Sequence, residues 1–330
     1  MPNLSEDRIN QIILGMQSSR VAVVGDLMLD RYIWGEVERI SPEAPVPVVR
    51  LSGESSNMGG AANVAANVSA LGADVQLFGV VGDDAEGKLL CQLIEHGGFD
   101  ANGVVTASSR PTIVKTRIIA GSQHLVRIDS ETTEKLEHGI ERKLLVRLKA
   151  ALGGINAVIL EDYNKGVLFP DFIHEIIEAC RSAHVPVGVD PKRENFWAYK
   201  GATLFKPNLH ELENALGRML QSEDDLREAG KEVQDKLEVE HLLVTRGRDG
   251  MALFTGGEIH TIQTQAQRVH DVSGAGDTVI ATIMTSIAGK ADIFEAAYLA
   301  NCAAGVVIAE VGAVPIDLQK LKNACVRKGR

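Results

Sequence analysis

Short apolar runs alternate with helix-like segments along most of this chain. The runs that favour strands are residues 21–24, 75–81, 157–160, 185–189, 202–205, 241–244 and 251–254. Strands separated by helices are typical of a mostly parallel sheet with helices on both faces. The pattern therefore predicts an α/β fold, in which ligands bind beyond the carboxyl ends of the strands.

Polar or glycine-bearing loops follow several of the predicted strands. They are residues 25–26, 161–162, 190–192, 206–208 and 245–247. Such loops meet at one edge of a parallel sheet, which makes them the first candidates for a ligand site. Within them, we expect Asp162 and Asp190 to orient loops rather than to react.

Two segments, residues 31–51 and 112–129, break this rhythm. The first contains Tyr32, Trp34 and closely spaced prolines, and the second has two alternating runs around residues 121–122 (GS). Alternating runs around a glycine predict a β-hairpin. Together the segments predict a small β-lid that excludes water from a site or forms a dimer surface. No internal repeat or linker is evident, so we expect residues 1–330 to form a single domain.

Composition narrows the class of protein. The chain has 330 residues, of which 45% are hydrophobic, and a formal net charge of −10. No apolar run approaches the roughly 20 residues of a membrane span, and residues 5–16 have the pattern of a capped amphipathic helix rather than a signal peptide. The four cysteines lie far apart, which favours buried thiols over a zinc site or a disulfide framework. We expect a cytoplasmic protein without membrane or nucleic-acid partners, because nucleic acids require basic surface.

The clearest chemistry lies in residues 271–278 (DVSGAGDT), which open into an apolar, helix-like run. Gly274, Ala275 and Gly276 have little or no side chain, so a phosphate could approach the backbone amides at a helix start. Asp277 would then lie beside an acceptor hydroxyl and take its proton. Alternatively, Ser273 or Asp277 only caps a buried helix. The residues of this turn alone leave both interpretations open.

A second glycine cluster occupies residues 57–68. Gly59 and Gly60 precede an alanine-rich helical segment, where backbone amides could approach a sugar closely. Asn63, on the first turn of that segment, offers both a donor and an acceptor to sugar hydroxyls. The alanines are expected to serve close packing against the sheet.

Four motifs, in this order, resemble those of the ribokinase-type (PfkB) carbohydrate kinases: residues 59–63 (GGAAN), 206–211 (KPNLHE), 245–250 (TRGRDG) and 271–277 (DVSGAGD). The resemblance covers nearly the whole chain. It implies a ribokinase-like three-layer sandwich, with a mostly parallel central sheet and a small β-lid. It also implies ATP and Mg²⁺ as cofactors.

Residues 25–31, 39–49 and 161–166 are similar to those of a bacterial subgroup of that family, the D-glycero-β-D-manno-heptose 7-phosphate kinases. This similarity implies phosphorylation of the anomeric C1 hydroxyl by ATP, giving heptose 1,7-bisphosphate for the lipopolysaccharide core. In some members a nucleotidyltransferase follows the kinase. Because this chain ends about fifty residues after Asp277, we expect the stand-alone kinase.

The resemblance also implies roles for individual residues. Asp277 would be the catalytic base, and the backbone of Gly274, Ala275 and Gly276 would form the anion hole. Asn208 and Glu211 would organise Mg²⁺, through water, and the nucleotide phosphates. On its own, Glu211 could equally complement a helix dipole.

Further roles concern the rest of the nucleotide and the sugar. Thr245 and Gly247 would contact ATP, and Asn301 would either border the adenine or serve packing. Asp30 would bind ring hydroxyls opposite Gly59, Gly60 and Asn63. A substrate that already carries a phosphate needs cations nearby. The candidates are Lys165, Lys192, Arg117 and Arg127, each of which could instead be a solvated charge.

Two other functions remain compatible with the sequence. Another sugar or sugar-phosphate kinase of the family would keep Asp277 and the anion hole, whereas a noncatalytic sugar-phosphate sensor would bind without consuming ATP. A nicotinamide dehydrogenase is disfavoured, because the strand at 21–25 leads into Asp26 and Leu27 rather than a G-x-G-x-x-G turn. The expected partners are ATP, a sugar phosphate and a second copy of the chain, bound through the lid.

Overall fold

The computed structural model describes residues 4–121, 123–264, 272, 274–310, 312 and 314–326. Helices and strands alternate through this part of the chain. The helices are α1 Glu6–Gln17, α2 Ala61–Ala70, α3 Ala85–His96, α4 His138–Ala151, α5 Pro170–Ser182, α6 Leu209–Leu216, α7 Glu223–Leu237, α8 Ala275–Ala288, α9 Ile293–Val307 and α10 Leu318–Val326. The strands are β1 Arg20–Gly25, β2 Leu27–Ile40, β3 Pro47–Gly60, β4 Asp74–Gly82, β5 Asp100–Ala107, β6 Ile113–Ala120, β7 Gln123–Ser130, β8 Ala157–Glu161, β9 Val187–Asp190, β10 Leu204–Phe205, β11 His241–Thr245, β12 Met251–Thr255 and β13 Glu258–Ile262.

The larger sheet has nine strands within the described residues, in the order β13-β12-β11-β10-β9-β8-β1-β4-β5. Its strands pair in parallel except at one end, where β12 is antiparallel to both neighbours. Val21 and Val23 of β1 pack into one hydrophobic core with α1, α2, α8 and α9, while Ala22 and Val24 pack into a second core with α4, α5 and α7. The alternation of side chains along β1 thus places helices on both faces. The predicted three-layer α/β fold is confirmed.

Each apolar run that favoured a strand overlaps one in the structure. The two outermost strands, β5 and β13, were not predicted. β5 and β13 lie at the two edges of the sheet. Their exposed positions carry polar residues, so neither sequence has the continuous apolar run of a buried strand. The two strands are recognisable only from their pairing with a neighbour.

The smaller sheet has the order β3-β2-β6-β7. Strands β2 and β3 form a long antiparallel pair, and β6 and β7 form the predicted hairpin, with Ala120 opposite Gln123. Ser122, in the hairpin turn, lies outside the described residues. The first pair extends beyond the predicted limits of 31–51, because the buried residues Leu27, Met28 and Leu29 already belong to β2.

The N-terminal helix α1 is formed as predicted. The Ser5 side chain accepts a hydrogen bond from the amide of Arg8 and caps the helix, whose Ile9, Ile12 and Met16 are buried. All four cysteines are free thiols, three buried and one half-buried. Among the described residues, no helix has the length and apolar character needed to cross a membrane.

Candidate active site

Helix α8 begins at the glycine turn that the sequence singled out. Gly274 is its N-cap residue and has a φ of 75°, a left-handed conformation that glycine adopts at little cost. Ala275, Gly276 and Asp277 form the first turn, where backbone amides lack partners within the helix and the dipole favours an anion. The Ala275 amide makes a long hydrogen bond of 3.3 Å to the Val272 carbonyl oxygen, which precedes the helix. Asp271 and Ser273 lie outside the described residues. The turn therefore has the backbone geometry of an anion site at a helix start.

Two side chains from distant parts of the chain hold the Asp277 carboxylate. The Asn63 amide Nδ2 donates to Oδ2 over 2.6 Å, and the Tyr163 hydroxyl donates to Oδ1 over 3.1 Å. Burial raises the pKa of Asp277 above its usual value, while the hydrogen bond from Asn63 opposes that rise. A buried carboxylate with a raised pKa is typical of a general base.

The glycine pair before α2 brings Asn63 to this carboxylate. Gly60 has a φ of 59°, and a Cβ atom there would lie 2.4 Å from the carbonyl oxygen of Asp26. A Cβ atom on Gly59 would lie 2.5 Å from the Asp30 carboxylate. Both glycines therefore permit close packing of the chain on itself, in addition to any contact with a ligand.

A cavity of about 240 Å³ opens above Asp277, between the smaller sheet and the start of α8. Its lining comprises Met28, Asp30, Tyr32, Trp34, Gly60, Asn63, Lys115, Arg117, Ile119, His124, Tyr163, Gly274, Asp277 and Gly312. Asp30 and Arg117 form an ion pair inside it, with Nη1 2.5 Å from Oδ1. The structure thus brings five predicted residues, Asp30, Gly60, Asn63, Arg117 and Gly274, together around Asp277.

Tyr163 is held over the site by a loop that wraps around Asp26. The buried Asp26 carboxylate accepts hydrogen bonds from the amides of Tyr163, Lys165 and Val167, at 2.8, 3.1 and 3.1 Å. Burial and the nearby charge of Asp162 raise the pKa of Asp26 to about 6, against the effect of these hydrogen bonds. Asp26 therefore positions the hydroxyl that contacts Asp277.

Asp162 orients the same loop, as the sequence predicted. Its carboxylate accepts hydrogen bonds from the Asn164 amide, the Asn195 side chain and the Tyr199 hydroxyl, at 2.7, 3.0 and 2.7 Å. For Asp190, this role stays a prediction. Its carboxylate pairs with the buried Lys206, Nζ to Oδ2 at 2.8 Å.

Asp190 belongs to a cluster of three buried acids with Glu161 and Asp277. One carboxylate oxygen of each lies within 4.8 Å of the others. Both Glu161 oxygens are buried and, among the described residues, have no hydrogen-bond partner. Burial, followed by the charges of Asp190 and Asp277, raises the pKa of Glu161 well above its usual value. Buried oxygens with an unpartnered carboxylate among them suit a hard divalent cation.

Asn208 and Glu211 cap helix α6, and Glu211 is linked to this cluster through Lys192. Each accepts a hydrogen bond from the backbone amide of the other, at 2.8 and 2.9 Å. The second Glu211 oxygen pairs with Lys192 Nζ at 2.9 Å, and the same ammonium lies 3.9 Å from Asp190. Burial disfavours the charged Lys192, but Asp190, Glu211 and Glu161 outweigh it and raise its pKa. Glu211 thus has the helix-capping role as well as a link to the acidic cluster.

The remaining predicted nucleotide residues lie on neighbouring elements. Thr245 ends β11 and forms a parallel bridge with Asn208, which places it beside the cap of α6. Gly247 opens a single helical turn with a φ of 57°. Asn301, on α9, is buried and donates to the carbonyl oxygen of Gln263 over 2.8 Å, a contact that leaves its role beside the adenine a prediction.

The four predicted phosphate-binding cations are all engaged by carboxylates. Arg117 pairs with Asp30 inside the cavity. The other three pairs, which lie outside the cavity lining, are Lys165 with Glu131 at 2.7 Å, Lys192 with Glu211 at 2.9 Å and Arg127 with Asp129 at 2.9 Å.

Sequence reasoning missed Tyr163, Glu161 and Lys115. Tyr163 and Glu161 occur in a segment, 161–166, that we used only for resemblance, and their contacts depend on how the loop folds. Lys115 was recognisable, because it precedes Arg117 by two residues in an alternating strand and therefore shares its face.

Comparison with known proteins places this site in a family. The model of the pfkB family carbohydrate kinases matches residues 18–320. The Bifunctional protein HldE of Pelobacter propionicus is 41% identical over 318 residues, which make up 96% of this chain and 65% of that protein. The HldE of Geobacter sulfurreducens is 43% identical over 291 residues, 88% of this chain and 59% of that protein. The chain thus spans less than two thirds of the length of these relatives.

Solved structures share the fold at low sequence identity. Arabidopsis thaliana ribokinase, complexed with ribose and ATP, superposes with a TM-score of 0.72 at 21% identity, over 93% of this chain and 98% of that one. Phosphofructokinase-2 from Escherichia coli, in complex with potassium, superposes with a TM-score of 0.78 at 19% identity, over 94% and 99%.

The family match extends over both sheets and all the elements that carry the site. Within it, a buried aspartate stands at the start of a glycine-capped helix, below a cavity lined by sugar-compatible polar groups. The chain belongs to the pfkB family of carbohydrate kinases and is an ATP-dependent sugar kinase.

Proposed function

We propose that this kinase phosphorylates D-glycero-β-D-manno-heptose 7-phosphate at its anomeric C1 hydroxyl, giving heptose 1,7-bisphosphate for the lipopolysaccharide core. The observation that carries the proposal is the cavity above Asp277. One end of it contains the Asp277 carboxylate, which Asn63 holds in place, and the smaller sheet contributes the cations Lys115 and Arg117 to its lining. The similarity of residues 25–31, 39–49 and 161–166 to heptose phosphate kinases supports this choice of sugar.

In this proposal, Asp277 aligns the C1 hydroxyl and accepts its proton as the oxygen attacks the γ-phosphorus of ATP. The amides of Gly274, Ala275 and Gly276 stabilise the charge that develops on the transferred group, and the helix dipole adds to their effect. Asn63 and Tyr163 hold the carboxylate in one orientation, since each donates to a different oxygen. Fixed geometry of this kind lowers the barrier by removing the need to orient the reactants.

The sugar ring would lie against Asp30, Gly60 and Asn63. Asp30 is fixed by its ion pair with Arg117, so its free lone pairs can accept from ring hydroxyls. On the nucleotide side, Thr245, Gly247 and the cap of α6 would contact ATP. Asn301 would stabilise the neighbouring segment through Gln263.

Mg²⁺ fits the residues present. The donors are all oxygens, and the buried carboxylate of Glu161, which has no hydrogen-bond partner in the described part of the chain, needs a cation or a proton to offset its burial. Glu161 and Asp190 would hold the ion, with Asn208 and Glu211 organising it through water. When bound, the ion supplies positive charge to the nucleotide phosphates.

We also propose that one kinase domain acts in the cytoplasm as a dimer. The outer face of the smaller sheet exposes Leu51, Val126 and Ile128 to 61, 49 and 54%. Exposed apolar residues on a sheet face favour association, here with a second copy of the chain. The relatives are named as bifunctional proteins, and the proposal concerns the kinase reaction alone.

An assay of ATP consumption with the α and β anomers of the heptose phosphate tests the substrate. The panel adds fructose 6-phosphate, ribose and adenosine, which other kinases of this fold would prefer. Preferred turnover of the β anomer supports the proposal, and preferred turnover of another sugar contradicts it. Binding of the heptose phosphate without ATP consumption would identify a sensor instead.

Asp277→Asn tests the base. The variant should fold and bind ATP but lose at least about 10³-fold in turnover, because a general base typically contributes 10²- to 10⁴-fold and alignment is lost as well. Near-normal turnover would remove Asp277 from that role.

A further inference from the structure

Lys115 lies on the cavity side of the smaller sheet. It belongs to β6, where it is opposite Asp30 of β2, and it alternates with Arg117 and Ile119 on the same face. All four of these residues line the cavity that also contains Asp277. The strand register therefore fixes Lys115 on the cavity face, above the proposed sugar position.

Lys115 differs from the other cations near the site in its partners. Arg117, Lys165, Lys192 and Arg127 each form an ion pair with a carboxylate. In the described part of the chain, no carboxylate forms an ion pair with Lys115. Its ammonium lies 5.3 Å from the centroid of the Tyr163 ring, a contact that Lys192 also makes. Its charge is therefore available to a ligand.

The surroundings of Lys115 also favour an anionic ligand. Burial lowers the pKa of Lys115, and the nearby charges of Asp30, Glu131 and Asp129 oppose that decrease only in part. A half-buried ammonium without a paired carboxylate loses hydration, and a bound dianion would restore its electrostatic balance. His124, from β7, lines the same cavity and offers a further hydrogen-bond donor.

The position of Lys115 relative to Asp277 matches a sugar phosphate. Tyr163 connects them, because its hydroxyl contacts Asp277 and its ring faces the Lys115 ammonium. One aromatic ring thus separates the base from the cation, a spacing that a sugar ring can bridge. A hydroxyl at one end of the sugar would meet Asp277 while a phosphate at the other end meets Lys115.

We propose that Lys115, assisted by His124, binds the phosphate that the sugar substrate already carries and so selects phosphorylated over neutral sugars. This inference rests on the proposed function, because it requires an acceptor sugar that is already phosphorylated. It does not depend on which sugar that is. Arg117 then serves chiefly to position Asp30, and Lys165, Lys192 and Arg127 have no part in phosphate binding.

The test compares paired sugars that differ only in this phosphate. Turnover by the wild type, Lys115→Met and Lys115→Arg is measured with heptose 7-phosphate and heptose, and with fructose 6-phosphate and fructose. Lys115→Met should lose about 10- to 100-fold in kcat/KM for the phosphorylated sugar, mostly through KM, because it removes one charge-assisted contact. Its activity on the neutral sugar should change less than about twofold, and Lys115→Arg should recover part of the loss.

Lys88→Met, which removes an exposed lysine of α3, is the matched control and should leave both activities unchanged. Thermal unfolding and calorimetric binding of the sugar phosphate show whether Lys115→Met remains folded and loses affinity directly. An equal loss for phosphorylated and neutral sugars would overturn the proposal and place Lys115 on the transferred phosphoryl group. A wild type that accepts only neutral sugars would overturn it as well.

The heptose assignment can fail separately. If fructose 6-phosphate is the preferred substrate and Lys115→Met selectively loses it, the assignment of the sugar is wrong while the role of Lys115 stands.

Discussion

The amide of Asn63 donates to the carboxylate of Asp277 over 2.6 Å, although the two residues are 214 positions apart in the chain. This bond joins the first turn of α2 to the first turn of α8. Two helix starts, one preceded by the glycine pair and one by the glycine turn, are thereby fixed to each other at the reaction centre. The orientation of the base depends on both.

Asn63→Ala and Tyr163→Phe should shift the pH dependence of turnover. The hydrogen bonds from both residues lower the pKa of Asp277, so removal of either should raise it further. A base with a higher pKa stays protonated to higher pH, and the acidic limb of the kcat profile should therefore move to more alkaline pH in both variants. The shorter bond predicts the larger shift for Asn63→Ala. An unchanged acidic limb would show that another group controls it.

Asp26→Asn should weaken both the fold and the position of Tyr163. The asparagine keeps the shape but offers one acceptor oxygen to three donating amides, at a cost of about 3 kcal/mol in the free energy of unfolding. Turnover should fall in parallel, since the loop carries Tyr163. Chemical denaturation measures the first effect. A variant with wild-type stability but low turnover would show that Asp26 positions Tyr163 without stabilising the fold.

The same residue predicts a pH dependence of stability. Because the pKa of Asp26 is raised to about 6 in the folded protein from a usual value of 3.8, the folded state holds the proton more tightly than the unfolded chain. The contribution of this group is therefore present below about pH 4 and lost as the pH rises through 6. In Asp26→Asn, which cannot titrate at this position, the melting temperature should no longer contain this pH-dependent contribution across the same range. Identical slopes in both proteins would contradict the assignment.

Gly60→Ala should be strongly destabilising. The residue has a φ of 59°, and a Cβ atom would lie 2.4 Å from the Asp26 carbonyl oxygen, so the substitution should cost at least about 2 kcal/mol. Gly53→Ala is the matched control on the same strand, because a Cβ atom there meets nothing within 4 Å. Denaturation midpoints compare the two. Equal midpoints would show that β3 adjusts without strain.

Ile128→Glu should weaken the proposed dimer. The side chain is 54% exposed on the outer face of the smaller sheet, and a charge would oppose burial of that face. Leu14→Glu, at an equally apolar position of α1 that is 65% exposed, should leave the association unchanged. Sedimentation equilibrium measures both. A wild type that remains monomeric at high concentration would refute the dimer.

The fold was predictable where burial imposes a pattern. The run at 21–24 is apolar because β1 is buried on both faces, and it identifies the centre of the sheet directly. The edge strand β13 has a polar residue at each of its two exposed positions, so its sequence lacks the continuous apolar run that identifies β1. Pairing with β12, rather than its own composition, makes it a strand.

Prediction of the site succeeded where chemistry depends on adjacent residues. The glycine turn and Asp277 are consecutive in sequence, whereas the acidic cluster requires the ends of two parallel strands to meet. Glu161 and Asp190 lie directly opposite each other in the register of β8 and β9, which the sequence of neither strand reveals. Likewise, Lys165 follows a strand as a ligand-binding lysine would, but the bonds of its loop to Asp26 direct it to Glu131.

The path of the chain through Asp26 also links the two sides of the cavity. Strand β2 leaves this residue directly after β1, and the Asp26 carbonyl oxygen accepts a hydrogen bond from the Ala61 amide, where β3 enters α2. Asp26 thus joins the start of β2, the end of β3 and, through its carboxylate, the loop that carries Tyr163. The strand that bears Asp30 and the hydroxyl that contacts Asp277 therefore share one anchoring residue, and a displacement of Asp26 would shift both sides of the cavity together.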